Sequence, residues 1–388
     1  MHASWYALGI YFLGINLCEK CKNMAKVLQN YVKRDIILTK FIIRRKSMLT
    51  EPNTWKNPMT HYLEVLRNKW YRQLILLENL ITEETMKFYE KKGIITLHLP
   101  VTTGSISSPM GRGSDSSPVK VSLQGMETYL ADSMQFLLEY GCRLTEKGCY
   151  YVMPSFRGEK ADERHLCQFY HSEAEIPGTL EDVMKLVEEY IKYLAKRILE
   201  RMGKTLEENL GDISHIEKIA NYKGSFKKIT FDEAEKVLKE KYPNEIKEYI
   251  EYEDGWRNIT RKAEKELIEI YDGIVWITNY DELAVPFYQK LDSNIKGTTR
   301  NADLLMGIGE TVGCGERHET DKELIKSLEK HCVKPDEYKW YIEMKKYYPI
   351  QTSGFGMGVE RFLMWVLKSK DIRNFQLCLR FNGENILP

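Results

Sequence analysis

Tyr150-Tyr-Val-Met-Pro-Ser-Phe156 and Glu173-Ala-Glu-Ile176 read as two β-strands, joined through Arg157-Gly-Glu159 by a loop dense in Lys160, Arg164 and His165. Upstream, Trp70, Leu74, Leu77 and Ile81 recur at helical spacing. Gly93 stops that helix, and Ile94 to Leu99 reads as a strand closed by Pro100. Val119 to Leu123 and Glu127 to Ala131 alternate about Gly125 as a hairpin. Downstream, Thr179 and Asp182 open a capping box, and Val183, Leu186, Val187, Ile191, Leu194 and Ile198 form one apolar face that Gly203 is expected to end. Lys/Glu-rich helices follow around Phe231 to Tyr242 and Ile259 to Tyr271, then a strand from Ile274 to Thr278. A Gly-punctuated strand pair runs from Asp303 to Arg317, a helix from Asp321 to His331, and Gly354-Phe-Gly-Met-Gly358 enters an apolar helix, Val359 to Leu367. Runs of strands with helices on one side predict an α+β fold, an antiparallel sheet flanked by helices, and argue against a doubly wound nucleotide fold.

Composition fits this reading. The 388 residues are 43% hydrophobic and 29% charged, and Lys+Arg 57 against Asp+Glu 56 leaves a net charge of +1. No whole-chain field draws the protein to DNA or an anionic membrane. Eight cysteines are too few for a disulfide framework, which suggests a reduced, cytoplasmic setting, and Cys18-Glu-Lys-Cys21 lacks the second pair a structural zinc needs. The apolar run Trp5 to Leu17 is shorter than a membrane span and has no leader-like flanks, so it reads as a short helix. Residues 1–60 are expected to be an N-terminal extension without a recognisable role, residues 61–388 one catalytic domain, and 204–255 a helical insertion with solvated faces.

The phosphate signals are unconventional. There is no GxxxxGK[ST] loop, and Gly354-Phe-Gly-Met-Gly-Val-Glu-Arg361 is not a dinucleotide fingerprint. A glycine cluster at a helix start suits either phosphate contact or a tight turn. Arg157 and Arg361 stand at the ends of regular elements, where planar guanidinium forks could clamp phosphate oxygens; the alternative is a surface ion pair. Phe169 offers a face for a base. Asp303 and Glu310, on either side of Gly307 and Gly309, could both reach a Mg²⁺ bridging phosphates, or be turn carboxylates.

Taken in order, the strand ending at Pro100, Phe156-Arg157-x-Glu159 with its loop to Phe169, and Gly354-x-Gly-x-Gly-x-Glu-Arg361 resemble the three signature motifs of class II aminoacyl-tRNA synthetases. Arg164-His165-Leu166, Asp303-Leu-Leu, Gly309-Glu310, Gly315-Glu-Arg317 and Asp371-Ile-Arg373 narrow the resemblance to the aspartyl/asparaginyl branch, over about residues 70–388. The resemblance implies an antiparallel catalytic fold, a homodimer built through the first motif, and ATP with Mg²⁺ as cofactors. By position, Arg157 and Arg361 would be the catalytic arginines, on the α-phosphate with the amino-acid carboxylate and on the γ-phosphate respectively. Phe169 with Arg361 would sandwich adenine. Glu159, Arg164, His165 and Gly358 would complete the ATP site, and Asp303 and Glu310 would hold the metal.

For the amino acid, the resemblance implies Ser133, Gln135, Glu173 and Arg317. Aspartate-specific members place a Lys at the position of Leu138 and an Asp at that of Glu173. A missing cation and a carboxylate that accepts from an amide favour asparagine over aspartate. The chain departs from the branch in three places. Residues 1–70 are too short and too helical for the anticodon-binding OB-fold. Thr102 to Pro118 lacks the usual Glu-Gly element, for which Asp115 could substitute. Gly313-Cys-Gly-Glu316 replaces the usual Gly-Gly-Ser-Gln. The expected function is ATP-dependent activation of asparagine, or of aspartate or a close analogue, with acyl transfer to an unidentified acceptor, a small amine. The alternatives are an asparagine synthetase using ammonia and a tRNA ligase without anticodon recognition.

Overall fold

The computed structural model describes residues 48–107, 112 and 116–387. Trp5 to Leu17, Cys18, Cys21 and Asp115 lie outside these residues. Residues 48–49 group with Lys204–Asp212, where the Leu49 amide donates to the Asn209 carbonyl at 2.7 Å. Residues 50–203 and 213–387 form the other unit, which carries every residue of the site.

In chain order the strands are β1 (Ile95–Thr96), β2 (Thr102–Thr103), β3 (Val119–Leu123), β4 (Met126–Leu130), β5 (Cys149–Phe156), β6 (Gln168–Pro177), β7 (Lys228–Thr230), β8 (Ile250–Glu253), β9 (Trp256–Ile259), β10 (Ile274–Thr278), β11 (Asn301–Met306), β12 (Gly309–Glu316) and β13 (Thr352–Gly358). The main sheet runs β1-β5-β6-β13-β12-β11-β10-β7 and is parallel only at its two outermost pairs. The α+β architecture with an antiparallel sheet is therefore as expected.

The helix Lys69–Lys92 starts where the Asn68 side chain accepts from the Trp70 amide and ends at Gly93, whose φ of 70° only glycine adopts freely. It presses Trp70, Leu74, Leu77 and Ile81 into the core and stacks Tyr89 on Tyr150 of β5, ring centres 4.2 Å apart.

Local punctuation misleads in three places. The helix expected to stop at Gly203 runs Leu180–Leu210, because an interior glycine costs only ~1 kcal/mol and the apolar face continues through buried Met202 and Leu206. Gly354 to Gly358 is not a turn but part of β13, in the middle of the sheet. The 204–255 stretch is not all helix: β7 edges the main sheet, β8 forms a hairpin with β9 just beyond the stretch, and Phe231, Leu238 and Ile250 share a core with Val275 and Ile277 of β10. Those strands are three or four residues long, too short to show a period.

Register then arranges the chemistry. Tyr151, Glu173, Gly356, Gly313 and Asp303 stand side by side across five strands, and Cys149, Glu175, Gly354, Gly315 and Asn301 form the row two residues along. Side chains two apart on a strand share a face. The result is a floor of glycine flanked by carboxylates.

Candidate active site

One cleft is lined by Arg157, Glu159, Arg164, His165, Phe169, Glu310, Gly358 and Arg361, so all the residues expected at ATP and one of the two expected at the metal converge. Arg157 leaves β5, with its amide donating to the Cys167 carbonyl at 3.0 Å, and its guanidinium lies 5.3 Å from the centre of the Phe169 ring. Arg361, in the first turn of the helix Val359–Leu367, donates to the Glu310 carbonyl at 2.8 Å and reaches the Glu310 carboxylate at 3.5 Å. Burial holds Arg361 below the usual guanidinium range; Glu310 pulls it up while Arg164 and Arg157 push it down. Three guanidiniums thus crowd one space, and Arg157 Nε, Arg164 Nε and Arg164 Nη1 are buried with no hydrogen-bond partner in the protein. Donors left this way are costly unless an anion arrives to accept from them.

The rest of the loop is fixed by its own turn. Asp162 accepts from the amides of Arg164 and His165 at 2.7 and 2.8 Å and lies 3.0 Å from His165 Nδ1. The Glu159 carboxylate accepts from the Ser117 amide at 3.0 Å and keeps Oε1 buried without a partner. Gly309, at φ 147°, is where a side chain would collide with the Arg164–Glu264 ion pair, which closes at 2.5 Å.

Asp303 on β11 and Glu310 on β12 share the space over Gly313. Burial and the Glu310 charge raise Asp303 well above the usual carboxylate range. A divalent cation is the group that relieves such a pair, and with phosphate oxygens as its other ligands two carboxylates suffice. Among the described residues no cluster of three or more His, Cys, Asp or Glu side chains offers a complete protein cage.

The residues expected at the amino acid adjoin this cleft, around Glu173 and Glu175 of β6. Ser133 Oγ donates to Glu173 Oε2 at 2.6 Å, the Tyr151 hydroxyl donates to the same oxygen, and His171 Nδ1 lies 3.0 Å from Oε1. Burial pushes Glu173 up, but His171 and these donors hold it below its ordinary value, so it is ionised and able to accept. Ser133 Oγ also accepts from the Gln135 amide at 3.2 Å. Arg317 is fully buried: Glu175 takes its Nη2 at 3.1 Å, Gln289 its Nη1 at 3.3 Å, and Tyr288 lies under it at 5.5 Å. The glycines make this possible, since a Cβ at Gly356 would stand 2.9 Å from Glu173 Oε1 and one at Gly354 would overlap Glu175 Oε2.

The residues 56–378 match the family described as tRNA synthetases class II (D, K and N). The chain belongs to that family. Among its class II synthetase relatives, the asparagine–tRNA ligase of Pyrococcus abyssi is 34% identical over 63% of this chain and 55% of its own length. That of Bacillus cytotoxicus is 31% identical over 74% and 66%. The chain thus spans about half the length of the first of these synthetases. The crystal structure of asparaginyl-tRNA synthetase from Pyrococcus horikoshii complexed with asparaginyl-adenylate superposes with a TM-score of 0.76 at 26% identity, covering 85% of this chain and 73% of the other.

Several site residues of this synthetase fold carried no local signal. Glu264 sits on the helix Arg261–Ile270, which reads as a solvated helix until the fold brings it against Arg164. His171, a residue with no evident task in the sequence, lines the cleft and braces Glu173. Tyr151 and Gln289 join only through register and tertiary contact. Among the described residues no helix is long and apolar enough to cross a membrane.

Proposed function

We propose that residues 61–388 form a catalytic domain that activates asparagine with ATP, giving asparaginyl-adenylate and pyrophosphate. The observation that carries this reading is the convergence of Arg157, Arg164 and Arg361 around buried, unpartnered donors beside Phe169. A substrate carboxylate oxygen attacks the α-phosphorus of ATP, and the bond to the β-phosphate oxygen breaks. No protein nucleophile takes part, so rate comes from in-line positioning and from neutralising phosphate charge.

In this reading Arg157 grips the α-phosphate and the attacking carboxylate, and Arg361 the γ-phosphate. Phe169 and Arg361 take adenine between them, while Glu159, Arg164, His165 and Gly358 complete the nucleotide pocket. Asp303 and Glu310 hold Mg²⁺, which when bound supplies charge neutralisation between phosphates. Ser133, Gln135, Glu173 and Arg317 seat the amino acid: Glu173 accepts from the amide NH₂ and Arg317 donates to the amide oxygen. Leu138 is fully buried among Cys149 and Tyr151, so that position contributes no cation for a second substrate carboxylate.

Amino-acid-dependent ATP–pyrophosphate exchange without tRNA tests the reading. Exchange with asparagine well above aspartate is expected, and no exchange with asparagine overturns it. The names of the relatives support tRNA as acyl acceptor, tested by charging total tRNA with labelled asparagine. Capture of the acyl group by small amines tests the small-amine reading, and ammonia-dependent conversion of aspartate tests the amidating one. A homodimer through the helix Lys69–Lys92 is supported by exposed Ile75, Leu76 and Met86 and is tested by sedimentation.

A further inference from the structure

Behind the amino-acid half of the site lies an ion pair that touches neither substrate. Lys345, on the helix Lys339–Tyr347, is 1% exposed, and Glu139, on the helix Gln135–Gly141, is 0% exposed. Lys345 Nζ donates to Glu139 Oε2 at 2.6 Å and to the His318 carbonyl, the residue after Arg317, also at 2.6 Å. The Tyr341 hydroxyl donates to the other Glu139 oxygen.

This pair is electrically joined to the substrate site. The Glu139 charge raises the Glu175 carboxyl and also supports the charge on Arg317, after the larger effects of burial and of the Glu175–Arg317 contact itself. Lys345–Glu139 and Arg317–Glu175 are therefore two acid–base pairs that feel each other's charge in a region too buried for salt to screen, with burial lifting the Glu175 carboxyl to about 7. A buried ion pair is seldom more stable than well-packed apolar residues of the same volume, so stability alone does not account for this one.

We propose that Glu139 and Lys345 are positioning residues that set the choice of amide over carboxylate, by keeping the charge behind Arg317 balanced. This rests on the adenylation reading above. With the balance kept, Arg317 is already engaged by Glu175 and Gln289, and a second substrate carboxylate finds no free cation, whereas a neutral amide needs none. Unbalancing the pair in opposite directions must then move the preference in opposite directions.

The test is ATP–pyrophosphate exchange with asparagine and with aspartate in the full chain, comparing the ratio of their kcat/KM values. Glu139→Gln leaves Lys345 uncompensated and is expected to lower the asparagine:aspartate ratio about ten-fold. Lys345→Met leaves Glu139 uncompensated and is expected to raise it. The double variant, which removes both charges, returns the ratio to that of the parent, and KM for ATP stays constant throughout. A packing defect would move both single variants the same way, so same-sign changes or an unmoved ratio overturn the proposal. If one single variant fails to fold, the sign shown by the other decides; if both fail, a double variant whose ratio departs from the parent's overturns it. Absence of exchange by the parent with either amino acid overturns the adenylation reading itself, and this inference with it.

Discussion

The carboxylates of Asp303 and Glu310 approach each other across the bare Cα of Gly313: a Cβ built there would lie 3.5 Å from Asp303 Oδ1 and 2.9 Å from Glu310 Oε1. Two acids on adjacent strands, one raised well above its ordinary range by burial and by the other, are held together at a cost that a bound cation offsets. Asp303→Asn and Glu310→Gln should each raise the Mg²⁺ concentration needed for half-maximal pyrophosphate exchange by about ten-fold or more. Chelation should abolish exchange in the parent. An unchanged Mg²⁺ titration in both variants would remove these residues from the metal site.

Arg157 and Arg361 reach the same cleft from two different elements, one leaving β5 and one in the first turn of the closing helix. Replacing either by Ala should lower kcat/KM for exchange by roughly 10²–10³, the scale of losing one preorganised charged donor. The far-ultraviolet dichroism should be unchanged. Lys should not restore activity at either position, since an ammonium cannot present a planar fork. Full activity in either Ala variant would displace it from the proposed machinery.

Much of this was legible in the sequence, and the part that was not shares one physical cause. Apolar patterning announced the helices Lys69–Lys92 and Val359–Leu367 by their spacing and the strand Ile274–Thr278 by its unbroken apolar run. The ordered motifs also named, residue by residue, the side chains that line the cleft proposed for the nucleotide. What the sequence hid is decided across strands. Gly354, Gly356 and Gly358 look like a turn because glycine usually punctuates. In β13, Gly354 and Gly356 serve instead as the gap into which Glu175 and Glu173 extend from β6, a pairing visible only once register is known, while Gly358 leaves room for the Arg361 side chain. Glu264 and Gln289 come from segments whose own patterning describes a solvated helix and a loop, and tertiary contact alone gives them partners.

That gap yields its own prediction. A methyl group at Gly354 would overlap Glu175 Oε2 and stand 2.8 Å from the Ala174 carbonyl, which is β6 backbone and cannot move aside. Gly354→Ala should therefore destabilise the chain by ~1–3 kcal/mol and disturb the Glu175–Arg317 pair. It should raise KM for the amino acid more than KM for ATP. Gly104→Ala, where nothing lies within 4 Å of the added carbon, is the control and should be neutral in both thermal unfolding and exchange.

Glu316 supplies the pH dependence. Its carboxylate is 1% exposed and accepts from Arg300 Nε at 2.7 Å, Lys290 Nζ at 3.0 Å, Gln351 Nε2 at 2.7 Å and the Leu180 amide at 3.0 Å. Burial alone would raise it, but these donors, Arg300 foremost, hold it down at about 2. A carboxyl depressed in the folded state binds its proton more tightly once unfolded. Its stabilisation is therefore complete above the unfolded value of about 4.5 and is lost as the pH falls towards 2. Glu316→Gln leaves Arg300 and Lys290 without their common anion and should cost on the order of 3 kcal/mol at neutral pH. The difference between parent and variant in denaturant midpoints should shrink between pH 4.5 and 2 and vanish below that window. A difference that stayed constant with pH would mean that the glutamate acts here through shape rather than charge.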